Sequence, residues 1–305
     1  MNNRVFDSVA RGVAIALLVM APVSVAAQTP VPPRPSSPAR TADGQPDLQG
    51  IWGPDVDGAS HSVEEGPEPD NAAVTGQRNR KPQTIIIGEG PRPKLPYQPW
   101  AAAKRIEHLE NLQTPTEWAH IEPEDRCLPL SMPRSNYRGN IKIVQTPGQV
   151  TMLYEWNHGY RVIRVDGSSH PPVDVRLWNG DSRGRWDGNT LVVDVTNFFV
   201  DPVGYKVQPW LDSHGSFYSD ALHVVERWTP IDADNIRFEA TIDDPKVFTR
   251  PWKLGFDIRR NKQPGFELLE EACFEGERNS KTILDVGRKA KAAGQTGIHT
   301  HGLEK

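Results

Sequence analysis

Within one short stretch, WLDSHGSFYSDALHVVERW at 210–228, the chain carries Asp212, Asp220, His214, His223, Tyr218, Glu226 and Arg227. These are the side chains general acid–base chemistry uses: carboxylates and imidazoles that exchange protons, a phenol that donates one, a guanidinium that holds an anion. If 221–228 is a strand, Leu222, Val224, Glu226 and Trp228 share one face, and Ala221, His223, Val225 and Arg227 the other. A carboxylate in apolar company is costly unless a donor pairs with it or its pKa is raised to suit general acid work. The residues alone leave both readings of Glu226 open. Asp212 is a second candidate acid or base, and Tyr218 a candidate proton donor. His223 partners Glu226 only if the strand twists or bulges enough to bring it round. Taken singly, Asp212 and Ser219 read as turn caps, because Asp and Ser readily bond nearby backbone. Together with His214 and Asp220 they form a polar loop at a strand's entrance, where binding and catalytic groups concentrate.

A second polar cluster lies in LWNGDSRGRWDGNTLVVD, 177–194. DGN before TLVVDV predicts a hairpin turn, which makes Asp187 and Asn189 turn residues. Asp181, Ser182 and Arg183 then fall in the loop before that hairpin. Asp181 joins the catalytic candidates; Arg183, Arg227 and Arg134 are candidates to hold an anionic group. Trp178 and Trp186, with Trp210, suit the wall of a small-molecule pocket at a barrel mouth, and equally a plug at a barrel end. His158 and His170 read as surface turn residues. His299 and His301 form an H-x-H tail that lacks the further ligands a metal site needs. No metal and no cofactor are expected. The chain has no H-E-x-x-H, no G-x-S-x-G, no phosphate-cradling glycine loop and no dinucleotide fingerprint, which weighs against the enzyme classes that depend on them.

The elements that must position these groups follow from the rest of the chain. MNNRVFDSVARGVAIALLVMAPVSVAAQ has a basic start, an apolar core too short to span a bilayer and a small-residue site. It predicts a signal peptide over 1–27, cleaved after Ala27, and hence a periplasmic or secreted protein with no membrane span after cleavage. Two cysteines, Cys127 and Cys273, then predict one disulfide. A net charge of −4 with scattered Lys and Arg argues against a nucleic-acid surface. Residues 28–45 are Pro-rich and read as a disordered linker. Residues 46–140 read as an irregular wrap around the domain. It holds a short strand at each of PDLQGIW and TIII, and one helix over 98–112, with Trp100, Ala103, Ile106, Leu109 and Leu112 facing inward.

From Ile141 to residue 278 the pattern is short β-branched and aromatic runs between turn signals: IKIVQT, QVTMLYEW, YRVIRV, VDVRLW, TLVVDVTNF, ALHVVERW, NIRFEATI, WKLGFDI and FELLEEACF. Their period-2 alternation predicts an all-β, antiparallel domain that closes into a barrel or splits into a sandwich. Residues 279–305 read as a flexible tail.

Six segments together, PDLQGIW, RCLPLSMPR, VQTPGQVTMLYEW, NGDSRGRWDGNTLVVD, SDALHVVERW and DDPKVFTRPW, resemble an uncharacterised family of secreted bacterial β-rich proteins. The resemblance covers nearly the whole chain after the signal segment. It implies an exported single β-rich domain and brings no catalytic assignment. The chain departs from it at Tyr218, where a His is expected before SDALH. A phenol has a much higher unperturbed pKa than an imidazole.

Two functions fit these observations. One is an exported, cofactor-independent acid–base enzyme, a lyase, isomerase or hydrolase acting on a small organic substrate. The other is a periplasmic binding or carrier protein. The enzyme requires an unpaired carboxylate or His facing the cavity; the carrier predicts a cavity whose ionisable groups are all paired.

Overall fold

The computed structural model describes residues 39–54, 62–64, 85–88, 93–201, 208–273 and 280–295. The signal segment, most of the linker and the His299/His301 tail lie outside the described residues. Residues 39–46, the end of the expected linker, turn back on themselves through an Arg40–Pro46 bridge. Arg40 then donates to Asn189 Oδ1 at 3.0 Å.

The alternating runs form strands β1 (Gly50–Pro54), β2 (Ile86–Ile87), β3 (Ile141–Thr146), β4 (Gln149–Tyr154), β5 (Tyr160–Arg164), β6 (Asp181–Asp187), β7 (Thr190–Thr196), β8 (His223–Pro230), β9 (Asn235–Asp243) and β10 (Trp252–Arg260). Nine of them follow one another round a closed barrel, β1-β3-β4-β5-β6-β7-β8-β9-β10, with β10 returning to β1. Strand β2 adds to β10 outside the ring. The expected alternation holds closely: every second residue of β8 from Val224 to Trp228, and of β9 from Ile236 to Ile242, points into the core. The lumen is filled by side chains such as Trp52, Met152, Ile163, Val193, Trp228 and Phe238, as expected for a barrel of this strand number.

One pair departs from the antiparallel expectation. β5 and β6 run parallel, through two residue pairs, Ile163–Ser182 and Arg164–Arg183. An odd ring cannot alternate direction all the way round, so one neighbouring pair must be parallel. Parallel neighbours need a long connection, and residues 165–180 supply it. VDVRLW, expected as a strand, lies in this crossover, with Val173, Val175 and Leu177 facing solvent. The strand is instead Asp181–Asp187, expected as a loop. Its inner face begins with Ser182 and Gly184, too polar or too small to register as an apolar alternation, and only Trp186 at its end is apolar. Yet the DGN hairpin needed a strand on both sides of its turn. Gly184 is there because β5 comes close: a Cβ would sit 2.6 Å from Val165 Cγ1 and 2.8 Å from Ile163 Cγ2. FELLEEACF also forms no strand; it makes a bridge from Trp156 to Glu271 and leads to the Cys127–Cys273 disulfide, which is present as expected.

Helix α1 spans Pro99–Gln113, with proline in its first turn. Its inward face differs from the expected one. Ala101 and His108 are buried, while Trp100 and Ile106 are exposed. The helix docks through polar and aromatic groups rather than an aliphatic stripe. His108 stacks on Trp210 at 5.1 Å, meets Phe217 edge-on at 5.3 Å and donates from Nδ1 to the Gly215 carbonyl at 3.2 Å. A second helix, α2 (Ser280–Ala292), occupies what read as a tail. Gly287 seats it on the wrap: a Cβ there would lie 2.1 Å from the Pro115 carbonyl oxygen. Leu284 is buried, and Arg288 donates to the Thr116 carbonyl.

Two stability predictions follow from this packing. Gly184→Ala should destabilise the barrel by about 1–3 kcal/mol through overpacking, read as a lower denaturant midpoint; an unchanged midpoint would mean that β5 gives way. Burial pushes the His108 imidazole down from 6.5 to about 4. The unfolded chain therefore takes up a proton first as pH falls, and stability is lost between pH 6.5 and 4, by about 3 kcal/mol at most. Wild type should lose stability relative to His108→Gln over that window; parallel pH profiles would rule this out.

Candidate functional site: a cleft at the parallel seam

The parallel ladder is two residue pairs long, so the barrel wall parts below Ile163 and Ser182. A cleft of about 630 Å³ opens there. Tyr160 and Arg161 on β5 and Ser182 on β6 line it, with Trp178 and Asn179 from the crossover and Leu130 from the wrap. Asn179 spans the gap, donating from Nδ2 to the Tyr160 carbonyl at 3.3 Å. Gly180 carries the chain into β6 with φ +67°, and a Cβ there would lie 2.8 Å from the Thr196 carbonyl oxygen. Glycine meets both demands.

The floor of the cleft is an ion pair inside the barrel. Arg161 donates from Nη1 to Glu226 Oε1 at 2.9 Å and from Nη2 to Glu226 Oε2 at 2.5 Å. Asn136 Nδ2 adds a bond to Oε1, and Trp228 Nε1 one to Oε2, both at 3.0 Å. The Tyr154 hydroxyl completes the set by donating to Asn136 Oδ1 at 3.0 Å. Burial works against the Arg161 charge, and Glu226 reverses this, holding the guanidinium above its ordinary value. Four donors on one carboxylate hold it in place. By contrast, buried polar atoms of some cleft-lining residues, Arg161 Nε, Ser182 Oγ and Asn179 Oδ1 among them, have no hydrogen-bond partner among the described residues. Ser182 faces Ile163 across the seam, and Arg161 lies two residues before Ile163 on the same inner face. Buried polar atoms left unmet are rare and costly, and each calls for an explanation.

The residues expected to form one site are dispersed. Glu226 is on the inner face as expected, but as the clamped partner of Arg161. Asp212 is fully buried and holds its own loop, accepting from the Val63, His214 and Ser216 backbone and from Ser216 Oγ. Tyr218 is buried, its phenol pushed up by that burial, and donates to Ser131 Oγ at 2.6 Å. Ser131 in turn donates to the Trp178 carbonyl, which ties the cleft wall to the wrap. Arg134 is buried between Glu122 and Glu124, at 2.6 and 2.9 Å. Burial pushes the Glu122 carboxyl up to about 7, against the pull of Arg134. Arg227 is on the outer face with Asp187. The three tryptophans do not share a mouth. Trp178 lines the cleft, Trp186 packs against the core near Gln145, and Trp210 lies under α1.

His170, expected as a plain turn residue, bridges two carboxylates outside the barrel. Nδ1 is 2.6 Å from Asp181 and Nε2 is 3.0 Å from Asp194. Arg183 also holds Asp181, at 2.7 Å, and His223 holds Asp194, at 3.0 Å. This chain of charges anchors the crossover to β6, β7 and β8. Asp181 is the member that also lines the cleft.

Sequence reasoning passed over Arg161, Asn136 and Asn179, and singled out Ser182 only as part of a loop. For Arg161 the signal was present: in YRVIRV it alternates with Ile163 and Val165, which makes it an inward charge in need of a partner. Asn136 and Asn179 lie on irregular segments and gave no such signal. No family model, curated protein or solved structure matches the chain.

Glu226→Gln should cost about 3–5 kcal/mol by leaving the buried Arg161 charge without its counterpart. Arg161→Met combined with Glu226→Leu should cost clearly less than the two single changes summed. Denaturant midpoints measure both, and a neutral Glu226→Gln would remove the pair from the account of the fold.

Proposed function

We propose that this protein binds a small organic molecule in the seam cleft, as an exported binding or carrier protein. Export rests on the signal-like N-terminus and accords with the disulfide. The observation that carries the binding reading is the cleft of about 630 Å³ at the parallel seam, lined by Tyr160, Arg161, Trp178, Asn179 and Ser182. The groups expected to do acid–base work are otherwise engaged: Glu226 and Asp212 have their oxygens occupied, Tyr218 is buried on Ser131, and His223 lies on the outer face.

Acid–base catalysis on the bound molecule is a second reading. It is favoured by one feature, the Asp181–His170 pair at the cleft's edge. In that reading Asp181 is the group in contact with substrate and His170 holds it.

Fragment mapping by NMR on the exported form tests both. A panel of neutral, anionic and aromatic compounds should shift the Tyr160 and Asn179 amides and the Trp178 indole. Asn179→Ala should weaken the hits about tenfold, the cost of one hydrogen bond left unmade, without lowering the melting temperature. Shifts confined to other surfaces would overturn the binding site. Conversion of a bound compound by wild type, lost in Asp181→Asn, would establish the catalytic reading instead.

A further inference from the structure

Two guanidiniums and one carboxylate line the seam cleft, and they are not equally matched. Arg161 is answered by Glu226 through both Nη atoms. Asp181 is answered by Arg183 through Nε and Nη2, and by His170. Arg164 is exposed and makes no hydrogen bond or ion pair with any described residue. Asp166, two residues on, is held by Ser168 and meets Arg164 only through space.

The strand register adds to this. Arg164 pairs with Arg183 across the parallel ladder, so two guanidiniums stand at partnered positions on the outer face. Like charges so placed repel. Asp181 and Ser168 take up the Arg183 donors. Among the described residues nothing does the same for Arg164. An anion beside Arg164 takes up its fork of donors and offsets that repulsion. One negative charge is enough, since the other guanidiniums here already have their carboxylates.

Beyond Arg164 the wall is apolar. Tyr160, Val162 and Arg164 follow one another along the outer face of β5, about 7 Å apart. Leu177 and Trp178 line the same cleft from the crossover. Tyr160 is 67% exposed and Leu177 43%. Large apolar groups left open beside a cleft mark a ligand wall. An inorganic ion leaves them bare, whereas a flat hydrocarbon body covers them.

We infer that the cleft binds a small organic monoanion of the arylcarboxylate kind, its carboxylate on the Arg164 guanidinium and its apolar body along Val162, Tyr160 and Trp178. This rests on the cleft being a binding site.

Titration calorimetry and tryptophan fluorescence with cinnamate, cinnamamide and cinnamylamine test it, since the three share one body and differ in charge. At low salt cinnamate should bind about fivefold tighter than the amide, the worth of one charge-assisted pair at an exposed position. The amine should bind least, and the preference should shrink in molar salt. Arg164→Gln should bring acid and amide to equal affinity without lowering the melting temperature. Tyr160→Ala should weaken both alike and leave their ratio. An amide that binds as tightly as the acid, or an acid preference that survives Arg164→Gln, would overturn the anion inference and leave the cleft as a binding site. If none of the three binds, the inference falls; if fragment mapping also finds no ligand at the cleft, the binding reading falls with it.

Discussion

A closed ring of nine strands has to break its own alternation once, and in this chain the break falls between β5 and β6. Much else follows from that place. The parallel pair needs a crossover, and residues 165–180 leave the barrel to make it. The ladder between the two strands is short, so the wall opens. Gly184 lets the strands close together above the opening, and Gly180 turns the chain back into the wall below it. The outer charge chain from His223 through Asp194, His170 and Asp181 to Arg183 holds the crossover against the sheet. A ring of eight strands, alternating throughout, would need none of these devices and would have no opening of this kind.

The Arg161–Glu226 pair is the second organising feature. Buried ion pairs are weak evidence of net stabilisation, since desolvation cancels much of the Coulomb gain. This one is supported as well as such a pair can be, with Asn136, Trp228 and Tyr154 arranged round it. It also joins distant parts of the chain. Asn136 belongs to the wrap, Arg161 to β5, and Glu226 and Trp228 to β8. An apolar cluster of the same volume would tolerate several packings; the hydrogen bonds admit one. The pair therefore fixes where the wrap sits in the barrel end, and so the position of Leu130 and Ser131 beside the cleft.

The barrel was largely legible because period-2 alternation is a direct consequence of strand geometry. β3 and β9 could be bounded almost to the residue, and β8 to within two. The failures share one cause, that the inner face was filled by something other than large apolar groups. β6 shows the core Ser182 and Gly184, and so it looked like a loop. VDVRLW alternates well but faces water, because the crossover had to leave the wall. α1 docks with His108 rather than with Ile106, a choice no apolar count can detect. The opening cluster at 210–228 could be located but not interpreted. Asp212 and Glu226 were both picked out, and both proved to be fully bonded, since a sequence gives the acceptor without the donors that arrive from residues far along the chain. The cleft itself was visible through Trp178, Asp181 and Ser182; the Arg161–Glu226 pair at its floor was not.

The closure of the ring also bears on how the chain can be made. β1 lies between β3 and β10, pairing Trp52 with both Ile141 and Arg260. It precedes the other ring strands along the chain, and its second partner is the last of them. The disulfide loop from Cys127 to Cys273 encloses β3 to β10 but not β1. Eight strands can therefore assemble inside a covalent ring while the ninth is still unplaced, and until it arrives the edges of β3 and β10 stand open, as edges prone to pairing with other chains. Arg260 acts as the latch on that last gap: it lies 4.0 Å over the Trp52 ring and donates to the Gln49 carbonyl. With β1 in place, the open edges of β3 and β10 are joined and the sheet is a barrel.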